Sequence, residues 1–387
     1  VRMKALSIGV MALGLAGLAL DSVYFCLASL FLMSTQSALF GPTKYSIVPE
    51  LLPEKRLSWG NGILELGTFF AVLAGIIAGP LLVETFGAQQ AWSGAILLTL
   101  AVFGFLASLG ITRVPAANPQ KKFDPNLFAD LWTQARYILQ DRVLYLAVLG
   151  NTYFFFVAAL LQLNILFYGK DVLQISDVRT GYLSAAVAVG IGLGSLAAGY
   201  LSGNKIEYGL VPLGSIGMLI FGPALSVRGL AFWEVGALLA ALGFSAGFFI
   251  VPINALLQHR PEDSRRGGVI AATNMISWVG VGLAAAVNYL LTAKAGLAPP
   301  QVFLATAVLT LAATAYAVYL LPDALLRLML WLLTHSMYRI RLEGRDNIPE
   351  KGGALFVSNH LSFVDALLLG AATDRNIRFI MFKGVYD

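Results

Sequence analysis

The feature that most limits what this chain can fold into is a series of uncharged stretches, each near the length needed to cross about 30 Å of hydrocarbon at about 1.5 Å per residue. Ten of them fill the first 322 residues, at approximately 5–20, 22–43, 66–83, 90–112, 143–168, 181–203, 209–227, 235–257, 268–292 and 301–321. The first is short, at about 24 Å as a helix. A soluble protein would need polar residues to cover so much surface, and only 12% of the 387 residues are charged, about half the roughly 25% of an ordinary soluble domain. In lipid the backbone must be satisfied internally while side chains stay apolar, which leaves helices as the spanning elements. The expectation is an all-α polytopic membrane protein. Glycines inside the spans, such as Gly190, Gly192, Gly194 and Gly199, then favour close helix packing. No small-residue cleavage site follows the first apolar stretch, so it does not read as a signal peptide.

Lysine and arginine divide unevenly between alternate loops. One set holds Arg2, Lys4, Lys44, Lys55, Arg56, the five basic residues from Arg113 to Arg142, Lys205, Arg260, Arg265 and Arg266; the other holds only Lys170, Arg179, Arg228 and Lys294. Basic loops stay on the cytoplasmic side, so both termini are expected there. The net charge of +5 therefore belongs to membrane loops, and no nucleic-acid partner is implied. Cys26 is the single cysteine. It allows no intrachain disulfide, no cysteine-rich metal site is available, and neither a metal nor a bound cofactor is expected.

The longest polar connection, 113–142, carries Pro115, Pro119 and Pro125 and a helical-looking piece from Leu127 to Leu139. Six spans follow it and four precede it. A twelve-span protein with a central cytoplasmic loop would have two more spans upstream, and a start at Val1 rather than methionine agrees with that expectation. Phe40-Gly41-Pro42-Thr43-Lys44 near the end of the second span is echoed by Ile250-Val251-Pro252-Ile253-Asn254 in the eighth, 210 residues and six spans later. A parallel duplication of two six-helix halves would give that offset.

The stretch from Ser37 to Tyr45, its continuation from Asn61 to Glu65, and the stretch from Gly247 to Gln258 resemble the lysophospholipid transporters of the major facilitator superfamily. The resemblance covers roughly residues 1–322, which would be spans three to twelve of the family. It implies rocker-switch alternating access that moves a lysophospholipid, such as lysophosphatidylethanolamine, to the cytoplasmic leaflet.

Polar residues within spans are expensive in hydrocarbon and usually face a cavity or another helix. Asn61 and Glu65 are four apart and share a helix face, as do Asn254 and Gln258; Asn151 and Gln162, eleven apart, line one side of their span with Asn164 nearby. With Lys44, whose charge demands a partner or water, these are the transport candidates. The alternative for each uncharged one is an interhelical hydrogen bond remote from substrate.

After Pro322 the pattern changes. Residues 324–338 are apolar but interrupted by Arg327 and His335, and read as an interfacial helix within a linker spanning 323–343. From 344 onward the chain reads as the start of an α/β domain: turns at Gly344, Pro349 and Gly352-Gly353, a short buried strand at Ala354-Leu355-Phe356-Val357, and a helix from Ser362 to Ala371. His259 and His335 read as loop or interfacial residues.

Between strand and helix stands Asn359-His360-Leu361-Ser362-Phe363-Val364-Asp365. This segment resembles the HX4D signature of glycerolipid acyltransferases, and Glu343-Gly344, Asn347-Ile348-Pro349 and Gly352-Gly353 resemble that family's lead-in. An alcohol is a poor nucleophile, so a histidine must take its proton as it attacks a thioester, and a carboxylate must orient the imidazole. The resemblance makes His360 the general base and Asp365 its partner, supported by Asn359 and Ser362. Ser362 and Asp365 are also spaced as a helix capping box, and the two roles can coexist. Arg378 and Lys383 match the family's next arginine block poorly, so the catalytic half over 344–387 is expected to be incomplete and inactive by itself.

Together these readings describe inward flipping of lysophospholipid across a bacterial inner membrane, joined to cytoplasmic reacylation of its free hydroxyl. The acyl donor would be a thioester of acyl carrier protein or coenzyme A. The rival is a facilitator exporting a drug or small metabolite, with an unrelated acyltransferase tail.

Overall fold

The computed structural model describes residues 2–112, 114, 127–203, 205–337, 343–344, 347–349, 352–359, 362, 364–373, 375 and 377–380. Its helices are α1 (Arg2–Ala19), α2 (Val23–Ser46), α3 (Val48–Leu51), α4 (Leu57–Phe86), α5 (Ala91–Leu109), α6 (Leu127–Gln140), α7 (Arg142–Phe167), α8 (Asp177–Leu201), α9 (Leu210–Ala224), α10 (Phe232–His259), α11 (Asp263–Tyr289), α12 (Pro299–Leu320), α13 (Pro322–Met337) and α14 (Val364–Ala372). Among the described residues, nine helical segments are long and apolar enough to cross a membrane, and the protein is a multi-pass membrane protein.

Nine of the ten expected spans thus reach full length. The exception is the stretch at 209–227, where α9 has 15 residues and runs about 22 Å. Pro223 lies in its last turn and the chain then tightens, Leu225 N–H reaching the Gly222 carbonyl. In the opposite sense, α4 starts nine residues before the expected 66. Glu65 ends an uncharged window but not the helix, because its carboxylate is hydrogen-bonded inside the bundle.

Two groups of helices are evident. In the first, α1 packs on α2 and α5; in the second, α10 packs on α8, α9 and α7, α11 on α7, and α12 on α9 and α7. They meet mainly along α4 and α8, and also where α2 touches α11 and α4 touches α10. Helix α8 can sit between α4 and α10 because its faces carry no side chain where the backbones meet. A methyl group at Gly190 or Gly194 would overlap the backbone of Ala240 or Phe244, and one at Gly243 or Gly247 of α10 would overlap Val187 or the Gly194–Ser195 link. On the other side Gly199 faces the backbone of Ser58 and Trp59, and Gly62 faces Ser195. Two lipid tails offer helices no hydrophobic drive to associate, so this close backbone approach supplies the packing energy.

Leu144, Leu160, Leu239 and Val251 are fully buried in the core, whereas Trp278, Val279, Val308 and Tyr319 face outward. An apolar exterior is what a lipid-facing surface requires.

Beyond α12, α13 lays Ala324 and Leu328 against Gly209 at the head of α9, and α14 packs on α13. The expected buried strand at 354–357 is absent: the described residues contain no strand, and Leu355 and Val357 are exposed. A short apolar run becomes a strand only when a neighbour pairs with it, and no described segment does. The expected helix at 362–371 is present as α14, one residue longer at its end and with Ser362 just ahead of it.

Candidate functional site

Most of the polar residues singled out in the spans converge near the basic-loop end of the bundle. Helix α4 starts there, so Asn61, Glu65 and Thr68 lie about 6 to 17 Å along it. Asn61 and Gln258 exchange side-chain hydrogen bonds, the Asn61 amide donating to Gln258 Oε1 at 2.7 Å and the Gln258 amide donating to Asn61 Oδ1 at 2.8 Å. One turn deeper, Glu65 Oε1 accepts from the Tyr45 hydroxyl at 2.7 Å and from the Asn254 amide at 3.1 Å. Lys44 donates to Thr68 Oγ1 at 2.7 Å and stands 5.0 Å over the Tyr45 ring. Five candidates, Lys44, Asn61, Glu65, Asn254 and Gln258, therefore belong to one network joining α2, α4 and α10. Asn61, Glu65, Asn254 and Gln258 are all buried. Buried polar groups of this kind must be paired.

Ion pairs extend these contacts to the loops. Arg266 at the start of α11 reaches Glu50 of α3 at 2.8 Å and also pairs with Asp263, and His259 lies 3.1 Å from Glu54. Both Arg266–Glu50 and His259–Glu54 cross between the helix groups. Arg260 meets Asp141 at 2.7 Å. Asp141 also caps α7, accepting from the Val143 and Leu144 amides. The Arg260 hydrogen bond, ahead of these amides, holds the Asp141 carboxyl below the usual carboxylate range although partial burial opposes it.

Farther along the bundle, α4, α7, α8, α9 and α10 line a partly open cavity of about 250 Å³. Its wall is aliphatic and aromatic, including Phe69, Val72, Ile76, Phe154, Ile191 and Met218, and no charged residue lines it. The polar lining is Gln162 and Ser184, the Gln162 amide donating to Ser184 Oγ at 3.0 Å. A crevice of about 50 Å³ beside the network is lined by Tyr45, Asn151, Asn254, Gln258, Thr273 and Asn274. There Asn151 donates to Ser277 Oγ at 2.8 Å. Asn151 and Gln162 share a side of α7 as their spacing implied, but one borders the network and the other the cavity. Asn164 is buried and donates to the Pro299 carbonyl at 2.9 Å, an interhelical bond away from both.

The sequence reading missed Tyr45, Thr68, Ser184 and Ser277. Tyr45 follows Lys44 in the same last turn of α2, which was the available signal. Hydroxyls carry none, since Ser277 and Thr68 also bond their own preceding-turn carbonyls, the ordinary behaviour of serine and threonine in a helix.

In the tail, Asp365 accepts the Ser362 backbone N–H at 2.8 Å, and the Ser362 hydroxyl accepts the Val364 N–H at a long 3.4 Å. The acidic half of the capping box is thus present at the head of α14, while the Asp365 N–H goes to the Ser362 carbonyl rather than to its hydroxyl. Asn359 is exposed. His360 lies outside the described residues, as does Lys383; Arg378 is exposed. Arg375, which the sequence reading passed over, donates to the Pro349 and Gly352 carbonyls and so fastens the Gly-Pro-Gly-Gly lead-in to the end of α14. Among the described residues no group of three His, Cys, Asp or Glu side chains converges on a metal position.

Residues 2–285 match the family model of the Major Facilitator Superfamily, and residues 339–386 match the Acyltransferase family model. The chain is similar to the lysophospholipid transporter LplT of Serratia proteamaculans, 30% identical over 249 residues that cover 63% of this chain and 61% of that protein. It is likewise similar to the lysophospholipid transporter LplT of Klebsiella pneumoniae subsp. pneumoniae, 32% identical over 253 residues covering 63% and 61%. The match thus spans about six tenths of the length of these relatives. Among solved structures, the Escherichia coli fucose:proton symporter FucP superposes with a TM-score of 0.62 at 15% identity, covering 82% of each chain. A structure of FucP in the outward conformation gives 0.63 at 14% identity, covering 82% of this chain and 83% of that one.

Proposed function

This chain belongs to the Major Facilitator Superfamily, and on that premise we propose that its helices pass a lysophospholipid to the cytoplasmic leaflet of a bacterial inner membrane for reacylation by the tail. The observation that carries the reading is the cavity: its wall is apolar and uncharged, with one neutral hydrogen-bonding pair, Gln162 and Ser184. An acyl chain leaving the bilayer loses no apolar environment in such a space, and Gln162 offers hydrogen bonds to a glycerol hydroxyl. A drug or polar metabolite is usually held by several convergent polar or charged groups, which this wall lacks. The relatives named as lysophospholipid transporters add support to the same reading.

In this scheme residues 1–322 form the transporter, 323–343 the linker and 344–387 the start of the acyltransferase, with both termini cytoplasmic. Lys44, Asn61, Glu65, Asn254 and Gln258, with Asn151 beside them, form the gate at the cytoplasmic end. When the helix groups part there, each amide and carboxylate loses a protein partner but meets water, so no buried group stays unpaired. The gate can therefore open without the full penalty of burying polar atoms. Gln162 belongs to the substrate cavity.

Reacylation joins the free glycerol oxygen of the lysophospholipid to the carbonyl carbon of an acyl thioester carried by acyl carrier protein or coenzyme A. His360 takes the hydroxyl proton as that bond forms, and returns it to the thiolate as the carbon–sulfur bond breaks; Asp365 orients the imidazole. Joining both steps on one chain raises the effective concentration of the flipped lipid at the second site.

The test is the full-length protein in vesicles with labelled lysophosphatidylethanolamine added outside. His360→Ala should abolish reacylation and leave flipping intact. Transport of a soluble solute with no movement of the labelled lipid would sink the flippase half of the proposal, and undiminished acylation by His360→Ala would sink the catalytic half.

A further inference from the structure

Helix α6 in the central connection has two unlike faces. One carries Leu131, Gln134, Tyr137 and Ile138, strapped to the second helix group. Gln134 lies against Gly268, Tyr137 receives the Glu262 N–H and lies under the Arg265 guanidinium at 4.8 Å, and Ile138 is buried in the core. The other face exposes Trp132 at 60% and Leu139 at 64%, with Arg136 between them and stacked 5.2 Å over the Trp132 ring. Trp132, Arg136 and Leu139 recur at helical spacing, so they form one stripe.

The partners of α6 fix its depth. Glu262 and Arg265 stand at the entrance of α11, and Gly268 is five residues beyond its first residue, Asp263, about 8 Å farther along. Helix α6 therefore flanks the first turn and a half of a spanning helix, at the level where headgroups meet acyl chains. Its C-terminus passes through Asp141 directly into α7, whose Val143, Tyr145 and Leu149 are exposed and continue the apolar surface. Water is a poor neighbour for two large exposed apolar side chains, whereas tryptophan and arginine side by side suit the interfacial layer. No acidic residue lies in the exposed stripe, and Arg142 follows at the head of α7.

We propose that α6 is an interfacial anchor that seats Trp132, Arg136 and Leu139 among the headgroups of an anionic lipid surface at the basic-loop end. Because α6 is fixed to α11, the anchor ties the second helix group to the plane of that leaflet while the first is free to tilt. The inference rests on the membrane-spanning fold alone and stands apart from the identity of the transported molecule.

The test uses the full chain with Cys26→Ser, a nitroxide label on Trp132→Cys or on Leu139→Cys, and nanodiscs of phosphatidylethanolamine with or without phosphatidylglycerol. Relaxation by oxygen against a water-soluble nickel chelate should place both labels about 5–10 Å into the headgroup–acyl boundary. Adding phosphatidylglycerol should deepen them, and Arg136→Gln in the Leu139→Cys protein should abolish that deepening. Chelate access as free as for a label in water, in both lipid mixtures, would overturn the proposal. So would shielding from oxygen and chelate together, which would mean that another part of the chain covers this face.

Discussion

Asn61 on α4 and Gln258 on α10, 197 positions apart, exchange two hydrogen bonds of 2.7 and 2.8 Å and are both almost wholly buried. Each amide satisfies the other, so removing one strands the other. Gln258→Leu should destabilise the protein by about 1 kcal/mol, within the range seen for hydrogen bonds inside membrane proteins, and Asn61→Leu by a similar amount. The double variant Asn61→Leu with Gln258→Leu should lose less than the sum of the two. Thermal unfolding in one detergent for all four proteins measures the coupling; strict additivity would mean the pair does not act as a unit.

Gln162 calls for a different experiment, because it faces the cavity rather than another buried amide. Ser184→Ala should leave stability within about 0.5 kcal/mol, since water or substrate can replace the lost partner. Gln162→Leu leaves the Ser184 hydroxyl as the polar group on the wall and should slow lysophospholipid flipping by about tenfold, the equivalent of one lost hydrogen bond of about 1.4 kcal/mol. Initial rates in reconstituted vesicles decide it; an unchanged rate would remove Gln162 from the substrate path.

Asp141 predicts a pH effect. Its folded-state carboxyl titrates below the ordinary value, first because Arg260 donates to it, so its contribution is full above the unfolded value of about 3.9 and is lost as pH falls through the lowered folded value. Asp141→Ala should cost about 1 kcal/mol at neutral pH, chiefly as a lost helix cap. Arg260→Gln should cost less than about 0.5 kcal/mol, because that pair is partly exposed and screened. The gap between wild type and Asp141→Ala should narrow below about pH 4, as read from unfolding midpoints on a pH series.

At α14 capping and catalysis can be separated. Asn in place of Asp365 can still accept the Ser362 N–H, but cannot stabilise an imidazolium. Asp365→Asn should therefore leave the helix within about 0.5 kcal/mol of wild type and abolish reacylation in the full-length protein, if Asp365 orients His360. Ser362→Ala loses only the long 3.4 Å contact and should keep its acylation. Reacylation that survives Asp365→Asn would reduce this residue to a cap.

How much of this was legible beforehand follows from what periodicity can and cannot carry. Spacing placed Asn61 with Glu65, and Asn254 with Gln258, on common helix faces, and apolar length marked the spans. It could not say that those two faces meet, because partner choice depends on the three-dimensional packing of helices far apart in sequence. Tyr45 as a donor to Glu65 was invisible for the same reason. The start of α4 was misjudged because a charge was read as a boundary, and in the structure that charge is paired within the helix bundle. The strand at 354–357 failed on the opposite ground: apolar run and turns were present, but pairing is not encoded locally.

The glycines of α8 were legible as packing residues; their partners Gly243 and Gly247 on α10 were not, and the structure makes the consequence sharp. Gly194 faces the backbone of Phe244 and Gly247 that of Gly194 and Ser195, whereas nothing lies within 4 Å of a methyl group placed at Gly181 or Gly282. An added methyl against a flexible side chain can be absorbed, but against backbone it must move a whole helix. Gly194→Ala and Gly247→Ala should each destabilise by about 1–3 kcal/mol or more. Gly181→Ala and Gly282→Ala should be neutral or slightly stabilising, since alanine is the better helix former. Because α8 also touches α4 through Gly199 and Gly62, forcing α8 away from α10 should press on the contact between the helix groups. Gly194→Ala is therefore expected to slow transport even in the fraction that remains folded, which size-exclusion of the detergent-solubilised protein followed by flipping assays on the monodisperse peak would show. Equal activity per folded molecule would confine the glycine to stability and detach the α8–α10 seam from the transport cycle.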